Sequence, residues 1–197
     1  NQGLSIGTYL AIAAINRATE ATSKNGMWDW FHQTSLYRVL PKADRDSLQS
    51  QRFWDHMNAV SIDTAKLVWQ TIIDKCLKKE SIDLKEICYD GTNFYTFIDT
   101  FNSSCALAKR GKNKQGRNNL RQVSYALFCT AEDQIPLFYD VYPGNRNDCP
   151  EFAEMIESFR KFLMQNGWTT KDAGSSSLPL TLIFDKGNNS ADNIKLL

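Results

Sequence analysis

Histidine is scarce in this 197-residue chain: there are two, His32 and His56, and neither has a ligand-like companion nearby. The five cysteines, at 76, 88, 105, 129 and 149, are odd in number and show no C-x-x-C spacing, so neither a zinc site nor a closed disulfide framework is expected. A reducing cytosol is the expected setting. No apolar run approaches the roughly 18 residues that a membrane-spanning helix needs, and mean hydropathy is −0.42, which excludes such a span. There is no initial methionine and no basic-then-apolar leader, so no targeting segment is expected. The last residues, S-A-D-N-I-K-L-L, read as the opening turns of a helix with Ser190 as N-cap, and the chain is read as a fragment cut inside a fold. What the chain does hold, 42% hydrophobic and 12% aromatic residues, suffices for a real core and excludes a disordered segment or a disulfide-stapled miniprotein.

Acids are missing from one long stretch. Residues 100–131 contain no aspartate or glutamate but hold Lys109, Arg110, Lys112, Lys114, Arg117 and Arg121. That stretch carries +6 against a whole-chain charge of +1, so the remainder is net acidic. Cations mixed with glycine and asparagine predict a mobile loop able to neutralise phosphates; the competing reading is a solvated hairpin tip.

Residues 4–80 read as helical. Leu10, Ala13, Ala14 and Arg17 mark one helix, and Ile62, Ala65, Val68, Trp69, Ile72, Cys76 and Leu77 recur at helical spacing on another that starts near Ser61. Both stripes are expected to face a core. The aromatic runs W-D-W-F at 28–31 and R-F-W-D-H at 52–56 are read as packing, and both histidines as structural.

After Glu80 the period changes to two. Three strands are predicted in E-I-C-Y-D-G-T-N-F-Y-T-F-I-D, R-Q-V-S-Y-A-L-F-C-T-A and I-P-L-F-Y-D-V-Y-P-G, the second and third joined as an antiparallel hairpin across A-E-D-Q. An amphipathic helix follows, with Asp148 as N-cap and Phe152, Met155, Ile156, Phe159 and Leu163 on one face. A flexible G-S-S-S connector from Gly174 leads to the strand L-P-L-T-L-I-F-D, and a last helix begins near Ser190. A right-handed crossover places that fourth strand parallel to the first and beside it. Asp90, within the first strand, and Asp185, ending the fourth, are then brought within reach of one ion. Asp90 is expected in an interior strand, where an ionised carboxylate is costly unless coordinated.

Three motifs in order, Y-D-G-T-N-F-Y at 89–95, R-Q-V-S-Y-A-L-F with I-P-L-F-Y-D-V-Y-P-G-N-R-N-D spanning 121–148, and L-I-F-D-K-G-N at 182–188, resemble the DDE transposases of bacterial insertion sequences, over roughly residues 85–197. The resemblance implies an α/β, ribonuclease-H-like catalytic core at 81–197, mixed-sheet with flanking helices, preceded by a helical region at 1–80. It implies DNA strand cleavage and transfer at mobile-element ends, Mg2+ (or Mn2+) as cofactor, DNA as partner, a dimer assembled on DNA, and a place in the bacterial cytoplasm with the nucleoid. Asp90 and Asp185 match the first two acids and are the expected catalytic and metal-holding residues, with two ions about 3.5–4 Å apart activating a hydroxyl and stabilising the leaving oxygen. The third acid, usually a glutamate on a later helix, has no counterpart before Leu197 and is expected beyond it. Lys109, Arg110, Lys112, Lys114, Arg117 and Lys186 are the expected DNA contacts, Gln122 is expected to be structural, and Asp99, Asp140, Asn145 and Asp148 are assigned to turns, solvent and capping. Two other functions share these features: a plain nuclease on the same core, and a non-catalytic DNA-binding or assembly module.

Overall fold

The computed structural model describes residues 3–80, 82–112, 116–146, 148–168 and 180–196. The chain forms two compact units, Asn1–Gln70 and Thr71–Leu197.

The first unit carries α1 (Ile6–Thr19), α2 (Met27–Gln33), α3 (Leu36–Val39), α4 (Ser50–Asn58) and the beginning of α5 (Ile62–Lys79). Ser5 caps α1, its hydroxyl accepting from the Thr8 amide at 3.2 Å. The core consists of Tyr9, Ile12, Met27, Trp30, Phe31, Leu48 and Phe53. Trp30 and Phe31 of the W-D-W-F run are therefore packing residues. His56 lies over the Tyr9 ring at 4.1 Å, and His32 sits between Trp28 and Tyr37 at 5.4 and 5.6 Å. The buried face of α1 is Tyr9, Ile12 and Asn16, not the Leu10–Ala13–Ala14–Arg17 line expected from spacing. Small alanines satisfy two neighbouring helical phases, and the larger Tyr9 and Ile12 decide which one turns inward. Helix α5 forms as expected, its N-terminus capped by Ser61, whose hydroxyl accepts from the Thr64 amide at 3.1 Å. Its apolar stripe is not core: only Ile73 is buried, while Ile62, Val68 and Ile72 are exposed.

The second unit is built on a five-stranded mixed sheet: β1 (Glu86–Thr96), β2 (Lys109–Arg110), β3 (Arg121–Thr130), β4 (Pro136–Pro143) and β5 (Thr181–Phe184). Strand β3 pairs antiparallel with β1 on one side and with β4 and the short β2 on the other; β5 lies parallel to β1 on its free edge. Three antiparallel strands, then α6 (Asp148–Gln165), then a parallel strand beside the first make the ribonuclease-H-like order. The β3–β4 hairpin turns with Gln134 at φ 54°, the one non-glycine residue with positive φ among those described.

Alternation decides the two faces. Ile87 and Tyr89 of β1, with Ala126 and Phe128 of β3, are buried beneath α6, whose Phe152, Met155, Ile156, Phe159 and Leu163 all turn inward as their spacing predicts. Phe159 stacks on Phe128 at 4.2 Å, and Phe152 sits between Tyr89 at 5.0 Å and Phe184 at 4.8 Å. Along β3 every even-numbered residue is buried and every odd-numbered one from Val123 to Cys129 half-buried, so the face opposite α6 is the open one. The Asp148 side chain, Lys114 and the connector around Gly174 lie outside the described residues. A short helix, α7 (Ala191–Leu196), closes the described chain, with the Ser190 hydroxyl accepting from the Asn193 amide at 3.1 Å.

Candidate active site and basic surface

The parallel register of β1 and β5 runs Glu86↔Thr181, Ile87↔Leu182, Cys88↔Ile183 and Tyr89↔Phe184. Asp90 and Asp185 are the next residue on each chain. Partners in a parallel pair point to the same face. Tyr89 and Phe184 both meet Phe152 beneath α6, so the two aspartates turn to the opposite, open face. Neighbouring strands lie about 4.8 Å apart. Asp185 keeps extended backbone (φ −68°, ψ 147°), so the alternation holds up to it, after which Lys186–Asn188 form a 3-10 turn closed by the Asn188 amide on the Asp185 carbonyl at 3.0 Å. That turn is anchored from below, the Asn193 side-chain amide donating to the Asn188 carbonyl at 2.9 Å.

Both carboxylates are exposed. This corrects the expectation that Asp90 would be costly to ionise: β1 is interior within the plane of the sheet, but the face carrying Asp90 is open among the described residues. Cys88 and Cys129 face each other across β1 and β3 on the same open face, and the Cys129 thiol is held above its ordinary range by burial, by Cys88 and by the Asp90 carboxylate. Cys76, Cys88, Cys105 and Cys129 are all free thiols.

Two carboxylates with room around them suit a hard cation such as Mg2+, which binds protein through one or two oxygens and keeps several waters. Among the described residues no group of three or more His, Cys, Asp or Glu side chains is disposed to hold a metal. Several other acids of this unit have partners of their own. Glu151 is buried and receives the Arg146 guanidinium at 2.5 Å, which raises the Arg146 pKa; Glu154 takes the same guanidinium at 3.4 Å. Asp99 accepts from the Phe101 amide at 2.7 Å. Asp140, expected to be solvated, is half-buried with its carboxylate on the Val141 amide at 2.9 Å, because its β4 position falls on the α6 side.

Part of the basic stretch is strand and not loop. Lys109 and Arg110 form β2 against Gln122 and Arg121. Lys109, Arg110, Lys112, Arg117 and Lys186 are exposed. Arg121 is not a surface cation: it is buried and donates to four backbone carbonyls. Gln122 is structural, as expected. It is buried, and its side-chain amide donates to the carbonyls of Gly144 at 2.6 Å and Lys112 at 3.1 Å, tying the basic loop to the turn after β4. The fit is close enough that a Cβ on Gly144 would collide with the Gln122 backbone carbonyl. Lys109 lies in register with Gln122 and thus with Tyr95, five residues along β1 from Asp90, or roughly 17 Å at 3.4 Å per residue. What sequence reasoning missed is the set of exposed phenylalanines at the exit of β1, Phe94, Phe97 and Phe101; the acid-free stretch beginning beside them was the available signal.

No protein-family model and no curated protein matches the chain. Among solved structures it is similar to the Mos1 transposase paired-end complex with left transposon end, at 8% identity and a TM-score of 0.36, and to the Mos1 mariner paired end complex with Mn, at 9% identity and 0.36. It covers 100% of its own length and 57% and 58% of those chains, so it spans less than two thirds of either. The strand order on its own carries the fold assignment, and these neighbours transfer no site residue to this chain.

Proposed function

We propose that this chain is a DDE-type transposase core of the insertion-sequence kind, acting on DNA with Asp90 and Asp185 holding Mg2+. The observation that supports this is the parallel β1–β5 register, which makes two acids 95 positions apart in sequence neighbours on one open sheet face. When bound, the divalent ion supplies Lewis acidity for phosphodiester cleavage and transfer. The chain's own residues do the rest. The aspartates fix the ion's place on a rigid pair of strands; Lys186, adjacent to Asp185, and the cations of β2 and its loop neutralise backbone phosphates. The roughly 17 Å between Asp90 and the level of β2 equals about five nucleotides at 3.4 Å per step, so one DNA strand can reach both. The reading needs a further acid, which the described residues do not supply, and a dimer assembled on DNA.

Calorimetric titration with Mn2+ at millimolar concentration tests the metal site. Wild type is expected to bind, and Asp90→Asn and Asp185→Asn each to abolish the heat. Both positions are exposed, so each variant should keep its stability within about 0.5 kcal/mol. Binding that ignores both substitutions refutes the assignment. Strand-transfer assays with Mg2+ separate a transposase from a nuclease, which gives nicks without joined products.

A further inference from the structure

The segment joining β1 to β2 takes no part in the carboxylate pair, yet it is held by an unusual device. Arg121, the first residue of β3, is buried, and its guanidinium donates to four carbonyl oxygens of that segment: Asp99 at 2.8 Å, Asn102 at 2.7 Å, Cys105 at 2.6 Å and Ala108 at 2.6 Å. Asp99 to Asn102 is a turn, closed by the Asn102 amide on the Asp99 carbonyl at 3.1 Å. One guanidinium therefore fastens both ends of a turn whose tip is Phe101. That ring is 93% exposed, and Phe97, just before the turn, is 78% exposed. A single exposed apolar side chain is ordinary. Two rings on a segment anchored this firmly form a presented surface, because the fixed backbone denies them any inward refuge.

Their surroundings name the ligand chemistry. Phe97 meets the Tyr95 ring edge-on at 5.8 Å, and the Arg117 guanidinium lies over the other ring of that pair, Tyr95, at 4.7 Å. Arg110 donates to the hydroxyl of Thr100, the residue before Phe101, at 2.7 Å. Phe97 and Phe101 thus each have an exposed arginine close by, and beyond Asp99, whose carboxylate is turned onto the Phe101 amide at 2.7 Å, no acid occurs from 100 to 131. A local excess of positive charge, Arg110 and Arg117 against Asp99, selects a polyanion, and ring faces select flat π surfaces. Single-stranded nucleic acid offers both, phosphates for arginine and unpaired bases for stacking. Paired duplex offers only the first, since its base faces are already stacked on one another.

We propose that Phe97 and Phe101 are a stacking platform for unpaired bases of DNA, with Arg110 and Arg117 holding the flanking phosphates. This deepens the DNA-processing function proposed above and rests on it: the preferred substrate has locally unpaired bases near the β1–β2 segment.

Fluorescence anisotropy on the full chain tests this with three labelled probes of equal length: single-stranded DNA, the same strand with abasic sites throughout, and duplex. Wild type should bind the base-bearing strand at least about 5- to 150-fold more tightly than the abasic one, the range that a single stacking contact produces. Phe101→Ala and Phe97→Ala should shrink that ratio, Phe101→Trp should restore it, and Arg110→Ala should weaken all three probes alike while lowering the salt slope by about one. At 93% and 78% exposure the phenylalanine variants are expected to fold normally, checked by thermal melting. Equal binding of base-bearing and abasic strands, or phenylalanine variants that behave as wild type, overturns the platform while leaving DNA binding in place. Failure to bind any probe at low salt overturns the DNA function as well. A concentration-dependent dimer that dissociates in Phe101→Ala assigns the rings to self-association and overturns the platform.

Discussion

Replacing Arg121 with methionine keeps the aliphatic stem and removes four donated hydrogen bonds at once. Each hydrogen bond from a charged donor contributes about 1.5–3 kcal/mol, but the net loss is smaller than four such bonds. Asp99, Asn102 and Cys105 are exposed or half-buried, so their carbonyls regain water once the segment lifts; only Ala108 is fully buried. The expected cost is about 2–4 kcal/mol, expressed as local opening of residues 97–108 and not as loss of the sheet. Amide hydrogen exchange reads this directly. The Phe101 and Asn102 amides, protected by Asp99, should exchange about 30- to 1,000-fold faster, while β3 and β4 amides keep their protection. Arg121→Lys should recover only part of the effect, because an ammonium cannot fork to four carbonyls spread over one plane. Unchanged exchange at Phe101 and Asn102, or equal loss of protection across β3 and β4, would show that the guanidinium does not govern this segment. The same substitution should blunt base-dependent DNA binding while leaving Phe97, Phe101 and every exposed cation in place.

Other predictions follow from the packing and the charges. Phe159→Ala removes the ring stacked on Phe128 and should cost about 3–5 kcal/mol in urea denaturation; a loss under 1 kcal/mol would mean the α6 interface is not the core of the second unit. Gly144→Ala drives a methyl into the Gln122 backbone and should destabilise by about 3 kcal/mol or more, beyond the usual range for surface turns; neutral behaviour in the same assay would refute the close approach. The raised Cys129 pKa means the unfolded thiol ionises first, so this group's contribution to stability is complete below about pH 8.5 and falls as pH rises above it. Because the Asp90 charge contributes to that rise, Asp90→Asn should speed iodoacetamide alkylation of Cys129 at pH 8; an unchanged or slower rate places the carboxylate away from the open face.

Much of the second unit was legible because its signals are local. The five apolar positions of α6 and the strand periods need only alternation at fixed spacing, and all five α6 side chains are buried. The adjacency of Asp90 and Asp185 followed from a crossover rule that lays the fourth predicted strand beside the first, and both acids come next after the last paired residues, Tyr89 and Phe184. Other features resisted for identifiable reasons. The α5 stripe has helical spacing, but spacing describes a face and not what covers it. The two-residue β2 has no period at all and exists because β3 offers a free edge at Arg121 and Gln122.

Sequence alone thus determined the four longer strands and helix α6 of the second unit, which side of α6 turns inward, and which two acids a parallel pairing would unite, since these depend on neighbours a few residues away and on chain-crossing rules. Only tertiary structure decided that Asp90 is open instead of buried, that Arg121 is an anchor instead of a surface cation, and that Phe97 and Phe101 are held outward. Exposure is a property of what lies across space, and residues far apart in the chain supply it.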